Sequence, residues 1–157
     1  MRILIPSILA LFVLLGCGGQ PEPPATPAVD TGGLSQDEFE NGIGPVKEAV
    51  TLGEIDPALA AKGQTVFETK CLSCHKLGER FIGPDLSTVL ARRTPRYVLN
   101  MILNPDEMVK RHPEAKKLLA EFLAPMAQQN LTLDEARAVL EHIRSYTGTA
   151  SADQAGK

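Results

Sequence analysis

The sequence predicts an all-α domain of short helices organised around one bound group, and three observations support this prediction. From residue 56 onward, apolar side chains recur at helical spacing, and no stretch alternates with period two for long. Cap and turn residues divide this region into short segments. The 157-residue chain has five Phe, two Tyr and no Trp, so the helices alone build only a small aliphatic core.

The first predicted helix covers about residues 57–71, and a long loop at 76–93 follows it. The apolar face of that helix holds a glycine and three larger residues: Leu59, Gly63, Val66 and Phe67. The second helix begins at Thr94-Pro95, because Thr is a favourable N-cap and Pro fits the first helical turn. It ends at Asn104-Pro105, since the residue before a proline avoids the helical conformation.

Two further helices are predicted toward the carboxyl end. Pro113 opens one of them and Pro125 stops it. The segment 132–135 is a capping box that starts the last helix. The apolar positions of this helix lie three and four residues apart: Ala136, Val139, Leu140, Ile143 and Tyr146. Gly148 is a suitable C-terminal stop, and we expect residues 149–157 to form a disordered tail.

Residues 1–16 are typical of a bacterial lipoprotein signal peptide. Arg2 precedes an apolar run, Ile3 to Leu15, that is too short to span a bilayer comfortably. The residues around Cys17 resemble a lipobox, which implies cleavage before Cys17 and attachment of diacylglycerol to its thiol. The alternative is an ordinary signal peptide with an incidental cysteine. We therefore expect a protein anchored at Cys17 on the periplasmic side of a bacterial membrane, or on the outer cell surface.

Residues 17–55 are predicted to form a flexible, acidic, lipid-anchored linker before the domain at 56–148. The part from 18 to 35 contains four Pro and four Gly, a composition that buries too little surface to offset its ordering entropy. Residues 18–55 have a net charge of −6, whereas the domain has a net charge of +2. The net charge of the whole chain is −3, which argues against a nucleic-acid partner.

The motif that carries chemistry is Cys71-Leu72-Ser73-Cys74-His75. Two thiols at this spacing can add to the two vinyl groups along one edge of a porphyrin, and His75 then faces the iron as proximal ligand. A thioredoxin-like site would need a βαβ context, and a structural zinc site would need more ligands than lie nearby. The sequence therefore predicts one covalently bound haem c, attached through Cys71 and Cys74.

With this motif, residues 56–147 resemble a class I cytochrome c. In that family a glycine and an aromatic residue of the first helix cross the last helix near its own aromatic residue. Gly63 and Phe67 match the first pair, and Ile143 with Tyr146 matches the second. The resemblance implies the class I cytochrome c fold, with the glycine allowing close approach of two backbones.

The resemblance also implies contacts of His75 and of the iron. A Gly-Pro pair follows the haem motif in the family. Here it is Gly83-Pro84, which implies that the Pro84 carbonyl accepts a hydrogen bond from the His75 ring. The sixth ligand implied is Met126, in the loop before the last helix. Relatives often have a proline after this methionine. This chain has Ala127, which is expected to weaken the iron–sulfur bond.

Other residues remain open as sixth ligand or as donors to the haem propionates. Met108 and His112 are the alternatives to Met126, together with an open site, although His112 fits better on a solvated basic face. Met101 fits core packing. For the propionates, Tyr97 is the first choice and an arginine, Arg93 among Arg92 and Arg96, is the second. The alternative is that these arginines form a solvated cap.

The predicted function is that of a tethered one-electron carrier and not of an enzyme. Its expected partners are redox proteins: a quinol-oxidising complex as donor and a terminal reductase or oxidase as acceptor. Residues 41–45, with Asn104-Pro105 and the Met126 loop, resemble small lipoprotein cytochromes c encoded beside nitrous oxide reductase. One alternative is a haem enzyme or sensor with an open sixth site for peroxide, nitric oxide or carbon monoxide. Another is a fixed haem subunit of a respiratory complex.

Overall fold

The structure, a computed structural model, describes the backbone of residues 30–155 and the side chains of residues 30–146. Its helices, in chain order, are α1 (Gln36–Asn41), α2 (Pro57–Lys70), α3 (Val89–Arg92), α4 (Pro95–Leu103), α5 (Pro105–Arg111), α6 (Pro113–Phe122) and α7 (Leu133–Ala155). No strand occurs in this part of the chain, so the all-α prediction is confirmed. The predictions for the signal peptide at 1–16 and for Cys17 fall outside the described residues.

Polar side chains cap the starts of α2, α4 and α7, and the caps of α4 and α7 are the ones that the sequence predicted, whereas α3 lies within the predicted loop at 76–93. Asp56 caps α2 by accepting hydrogen bonds from the backbone N–H groups of Ala58 and Leu59, at 2.8 and 3.1 Å. Thr94 caps α4 by accepting from the N–H of Tyr97. Thr132 and Glu135 form the reciprocal bonds of a capping box ahead of α7. These side chains satisfy the backbone donors that every helix start leaves without a partner. No described helix is both long and apolar enough to cross a membrane.

The main core lies where α2 and α4 pack against α7. It consists of the buried residues Val46, Phe67, Val98, Leu99, Ile102, Ala136, Val139, Leu140 and Ile143. At the crossing, a Cβ on Gly63 would lie 1.8 Å from the Ala138 carbonyl oxygen, so only a glycine allows the two helices to approach this closely. The predicted crossing of the first and last helices is therefore present. Phe67 packs there against the His142 ring, with a centroid distance of 5.4 Å.

The N-terminal strap, residues 34–50, corrects the predicted linker. Instead of extending into solvent, it contains α1 and buries Leu34, Ile43 and Val46. It packs on α4, α5 and α6, where a second group of buried residues forms the strap cluster: Leu34, Ile43, Tyr97, Met108 and Ala115. The prediction followed the acidic, Pro- and Gly-rich composition, which records no interaction with distant helices.

The residues between the strap and α2 are also held in place. The buried Glu141 side chain of α7 accepts a hydrogen bond from the Asp56 N–H at 2.7 Å. Arg144, which pairs with Glu141, donates to the Gly53 carbonyl at 2.6 Å. The ordered domain therefore begins before residue 56, and the linker prediction is wrong for residues 34–55.

The end of α7 also differs from its prediction. The helix was expected to stop at Gly148, ahead of a disordered tail at 149–157, but it continues to Ala155. This extension contains Ala150, Ala152 and Ala155, and alanine has the highest intrinsic helix propensity. These residues continue the hydrogen-bonded ladder of α7, which is already nucleated by its packed first half.

Candidate functional site

The Cys-x-x-Cys-His motif forms a tight turn at the C-terminal end of α2. The N–H of Cys71 bonds the Phe67 carbonyl at 2.8 Å, and the N–H groups of Cys74 and His75 both bond the Cys71 carbonyl, at 3.0 and 2.8 Å. Cys71 is half-buried against the main core, and Cys74 is exposed. Burial, with a smaller contribution from Cys74, raises the pKa of the Cys71 thiol to about 11. The two thiols and the imidazole thus project from one turn at the edge of the core.

The His75 ring is held by the loop that follows it. Its Nδ1 lies 3.2 Å from the Pro84 carbonyl oxygen. Because a carbonyl only accepts, Nδ1 carries the proton and Nε2 keeps its lone pair, which is the tautomer needed for binding iron. Burial lowers the pKa of His75, and the bond to Pro84 partly opposes this shift. The contact that the resemblance implied for Pro84 is therefore present in the structure.

Gly83 shapes the same loop. A Cβ at this position would lie 2.5 Å from Cε1 of His75, so any side chain here would displace the imidazole. The Gly83 N–H donates to the Cys74 carbonyl at 2.7 Å, which closes the loop back onto the haem motif. The loop thus forms a cradle that orients the ring, and this cradle fits the proximal side of a haem.

Met126 lies in the loop between α6 and α7. It is half-buried and packs against the main core, as Cys71 does. Two residues with positive φ, Leu123 and Asn130, stand on either side of it. They end α6 and redirect the chain toward α7. The structure thus places Met126 and the haem motif on the same core.

The two alternative ligands are engaged elsewhere. Met108 is fully buried, and its sulfur accepts a hydrogen bond from the Ile43 N–H at 3.0 Å. His112 is also fully buried. Its Nε2 donates to the Phe39 carbonyl at 2.9 Å, and its Nδ1 accepts from the Glu114 N–H at 3.2 Å. The expectation of His112 on a solvated basic face is therefore wrong, because its two nitrogens cap α6 and hold the strap.

Three of the cationic residues near His112 are paired with carboxylates. Lys110 pairs with Glu107, and Arg111 pairs with Glu38 of the strap. Lys117 pairs with Glu114 at 2.7 Å. These carboxylates neutralise most of the positive charge near His112. The positive electrostatic potential there is therefore weaker than the number of lysines and arginines alone indicates.

Tyr97 and Arg93, the first candidates for binding the haem propionates, lie side by side. The Tyr97 hydroxyl is buried and has no hydrogen-bond partner among the described residues. Burial raises the pKa of Tyr97, so the group is a donor at neutral pH. A buried hydroxyl without a partner fits a carboxylate acceptor supplied by a bound group. Arg93 lies over the Tyr97 ring at 4.9 Å and pairs with Glu114 at 2.8 Å.

Arg92, Arg96 and Asn100 lie in α4 or just before it. Arg92 is exposed. Arg96 is directed at the strap, where it bonds Asp37 and the Lys47 carbonyl. Sequence reasoning missed Asn100, a buried amide that bonds the strap backbone at Val46 and Asn41. A polar residue within the apolar stripe of α4 was the signal that could have identified it.

Comparison with known proteins agrees with this geometry. The cytochrome c family model matches residues 60–147, just over half of the chain. A solved cytochrome c from Rhodothermus marinus is 45% identical, covers 73% of this chain and 99% of its own, and has a TM-score of 0.68. An engineered form of that cytochrome, Rma TDE bound to a carbene intermediate, is also 45% identical, covers 71% of this chain and 97% of its own, and has a TM-score of 0.64.

A third solved structure is more distant. The cytochrome c domain of the pp3183 protein from Pseudomonas putida is 27% identical, covers 57% of this chain and 92% of its own, and has a TM-score of 0.53. No curated protein sequence matches the chain.

Family and site lead to the same cofactor. Cytochromes c bind haem c covalently and transfer electrons, and Cys71 and Cys74 have the spacing that this attachment uses. In the structure, the Pro84 carbonyl orients the His75 ring, and the buried Tyr97 hydroxyl has no hydrogen-bond acceptor among the described residues. On this basis, the class I fold and the haem c cofactor are established, and the chain belongs to the cytochrome c family.

Proposed function

We propose that this protein is a membrane-tethered one-electron carrier whose haem iron is bound by His75 and Met126. The ligand assignment rests on the hydrogen bonds that the two alternative ligands, Met108 and His112, make to other residues. Met108 accepts from the Ile43 N–H, and both nitrogens of His112 are hydrogen-bonded. Met126 is the candidate that packs on the same core as Cys71.

The chain's own residues hold the group and tune it. When bound, haem c supplies a one-electron couple at its iron. Cys71 and Cys74 attach its edge, and the Pro84 carbonyl fixes the His75 tautomer and increases the basicity of Nε2. Tyr97 is the proposed propionate donor, and Arg93, whose guanidinium stands over the Tyr97 ring, is the second candidate. Met126 would supply a thioether to the iron, which would raise the reduction potential relative to a second histidine.

The optical spectrum of the purified holoprotein tests the ligation. With Met126 on the iron, the ferric form shows a weak far-red band, and the ferrous form does not bind carbon monoxide. Met126→Ala should abolish the band and admit carbon monoxide. Met108→Leu is the matched control, because it removes a methionine held by the strap and should retain the band. Persistence of the band in Met126→Ala would contradict the assignment.

The same measurement decides between the carrier and the second candidate function. The observation that favours an open or labile site is Ala127, which is exposed and stands where relatives often have a proline. A high-spin ferric spectrum, with rapid carbon monoxide binding by the unaltered protein, would support a haem enzyme or sensor. A low-spin spectrum without such binding supports the carrier.

The proposed docking site for redox partners is the exposed apolar surface beside the haem motif. Leu72 lies between the two cysteines, and Phe81 and Ile82 lie in the His75 loop. All three are exposed to between 44% and 48%. Lys76, whose ammonium stands 4.5 Å from the centre of the Phe81 ring, is paired with Glu79. Because Lys76 is paired with Glu79 and Arg80 with Glu121, we expect electron transfer to depend mainly on apolar contact and only weakly on ionic strength.

The tether and the partners are further parts of the proposal. We propose diacylglycerol on Cys17 as the anchor, on the periplasmic side or the outer cell surface. Cys17→Ser should move the protein from the membrane fraction to the soluble fraction. The proposed donor is a quinol-oxidising complex and the acceptor a terminal reductase or oxidase. Nitrous oxide reductase is the acceptor that the resemblance of residues 41–45 favours. Nitrous oxide-dependent oxidation of the reduced protein by that purified enzyme tests this choice.

A further inference from the structure

Arg80 makes its contacts outside the loop on which it lies. This loop follows His75 and returns to it through Gly83 and Pro84. The Arg80 Nη1 pairs with the Glu121 carboxylate, and the centre of its guanidinium stands 4.0 Å from the centroid of the Phe122 ring. Both partners are at the C-terminal end of α6. One side chain therefore joins two segments about 40 residues apart in sequence.

On one side, Arg80 is closely coupled to His75. The next residue, Phe81, donates its N–H to the Gly83 carbonyl at 3.1 Å, and the Gly83 N–H donates to the Cys74 carbonyl at 2.7 Å. The Pro84 carbonyl accepts from the His75 ring. These bonds make the segment from 80 to 84 one compact unit around the imidazole. A displacement of Arg80 would therefore also displace the loop segment that orients His75.

On the other side, Arg80 holds the start of the Met126 loop. Glu121 and Phe122 are the last two residues of α6, and Leu123 ends the helix in the left-handed conformation. Met126 follows three residues later. The loop has a second anchor farther along, where the Gln128 side chain donates to the Leu103 carbonyl at 3.0 Å. The contact with Arg80 thus fixes the end of the loop that precedes Met126.

We propose that Arg80 is a positioning residue that couples the two axial-ligand loops and keeps Met126 on the iron. The inference rests on the proposed ligation by His75 and Met126. Arg80 touches neither ligand. Its removal therefore leaves both ligands present and makes Met126 easier to displace. The absence of a proline after Met126 makes this external support more important to the loop.

The chemistry of the contact separates arginine from lysine at this position. The ion pair is exposed on both sides, at 58% and 52% of the side chains, and an exposed pair alone contributes little. The planar guanidinium also stacks on Phe122, which a lysine ammonium reproduces poorly. Arg80→Lys should therefore keep only part of the effect, and Glu121→Gln should remove only the ion pair.

Ligand exchange in the ferric holoprotein of the full chain tests the proposal. The measurements are the rate at which added cyanide replaces Met126 and the pH at which the far-red band is lost. Arg80→Gln should exchange about three- to tenfold faster than the unaltered protein and lose the band at lower pH. Arg80→Lys should lie between the two. Arg137→Gln is the matched control, because Arg137 is an exposed arginine on α7.

The outcomes distinguish this proposal from the proposed function. Equal exchange rates for Arg80→Gln and Arg137→Gln would overturn the coupling while leaving ligation by Met126 intact. A fall in unfolding stability without faster exchange would show a merely structural role, which also overturns it. A far-red band that survives in Met126→Ala would overturn the ligation itself and the coupling with it. Faster exchange in Arg80→Gln, with a smaller effect of Glu121→Gln, supports the proposal.

Discussion

Aliphatic side chains and one close helix crossing hold the main core, whereas polar side chains that bond a backbone hold the strap cluster. In the main core, α2 meets α7 at Gly63, and the residues around the crossing are apolar. Beside the strap cluster, the Asn100 amide makes four hydrogen bonds to the strap backbone. Asn104 donates to the Ile43 carbonyl, and Met108 accepts from the Ile43 N–H.

This difference predicts different ways of failing. A substitution in the main core lowers stability either because an added atom collides with a neighbouring helix or because a removed atom leaves a cavity in a close-packed interior. The strap cluster fails when one partner of a buried hydrogen bond is lost, since the other partner then remains desolvated and unpaired. Helix α6 connects the strap cluster to the Met126 loop. His112 caps its start within the strap region, and Arg80 holds its end beside the Met126 loop.

The largest expected effect is at the helix crossing. In Gly63→Ala, the added Cβ would lie 1.8 Å from a backbone oxygen of α7, so the two helices must separate. Alanine gains up to about 1 kcal/mol of helix propensity over glycine. We nevertheless expect a net loss of about 3–5 kcal/mol in the free energy of unfolding. Chemical denaturation of the ferric holoprotein, followed by far-UV circular dichroism, measures this loss.

Gly53 provides the control for this substitution. A Cβ at Gly53 meets no atom within 4 Å, so Gly53→Ala should leave the unfolding free energy nearly unchanged. A Gly63→Ala protein as stable as Gly53→Ala would show that α2 and α7 are not in close backbone contact at residue 63.

The next effect is in the strap cluster. Asn100→Ala removes one acceptor for the Val46 N–H and one donor for the carbonyls of Val46 and Asn41. We expect a loss of about 2–3 kcal/mol in unfolding free energy, together with faster proteolysis within residues 34–50. The far-red band should persist, because the main core still holds Met126. Gln64→Ala, an exposed amide on α2, is the control and should be neutral.

A smaller effect appears with pH. Burial lowers the pKa of His112, and its neutral form both accepts from Glu114 and donates to Phe39. The unfolded chain therefore takes up this proton at a higher pH than the folded protein does. As the pH falls below about 6.5, the ordinary histidine value, stability should decrease until the lower folded pKa is reached.

His112→Gln tests this pH dependence. The groups facing His112 are Tyr97 and Arg93 from the α4 region and Glu114 from α6. The variant keeps these groups and removes the titrating ring, so the difference in stability from the unaltered protein should shrink between pH 8 and pH 5. A difference that is constant over this range would contradict the assignment to His112.

The smallest effect lies at the end of α6, between the two regions. Leu123 has a φ of 55° and its side chain is 84% exposed, so it bears backbone strain with little burial in return. Leu123→Gly should raise the unfolding free energy by about 0.5–1 kcal/mol, because glycine adopts this conformation without a steric penalty. Thermal unfolding measures the gain. Ala124→Gly is the control, since the φ of Ala124 is not positive, and it should be neutral or slightly destabilising.

Sequence-based prediction worked best where a motif or a residue type is compatible with few structures. The Cys-x-x-Cys-His spacing indicates haem c directly, and Thr94-Pro95, Pro113 and the capping box at 132–135 located the starts of α4, α6 and α7. It failed where a segment depends on distant partners. The composition of residues 17–55 indicated a linker, and a histidine among lysines indicated a solvated face, yet Phe39 and His112 meet inside the strap region.

By itself, the sequence determined the all-α class, the covalent cofactor and the starts of α4, α6 and α7, because these depend on local geometry and on short spacings. The glycine at the helix crossing was implied only by the family resemblance. Only the tertiary structure decided that the strap is part of the domain and that Met108 and His112 are occupied by backbone partners. It also decided that Arg80 reaches the end of α6. Each of these contacts joins residues about 40 or more positions apart, and no local pattern specifies which distant backbone a polar side chain will meet.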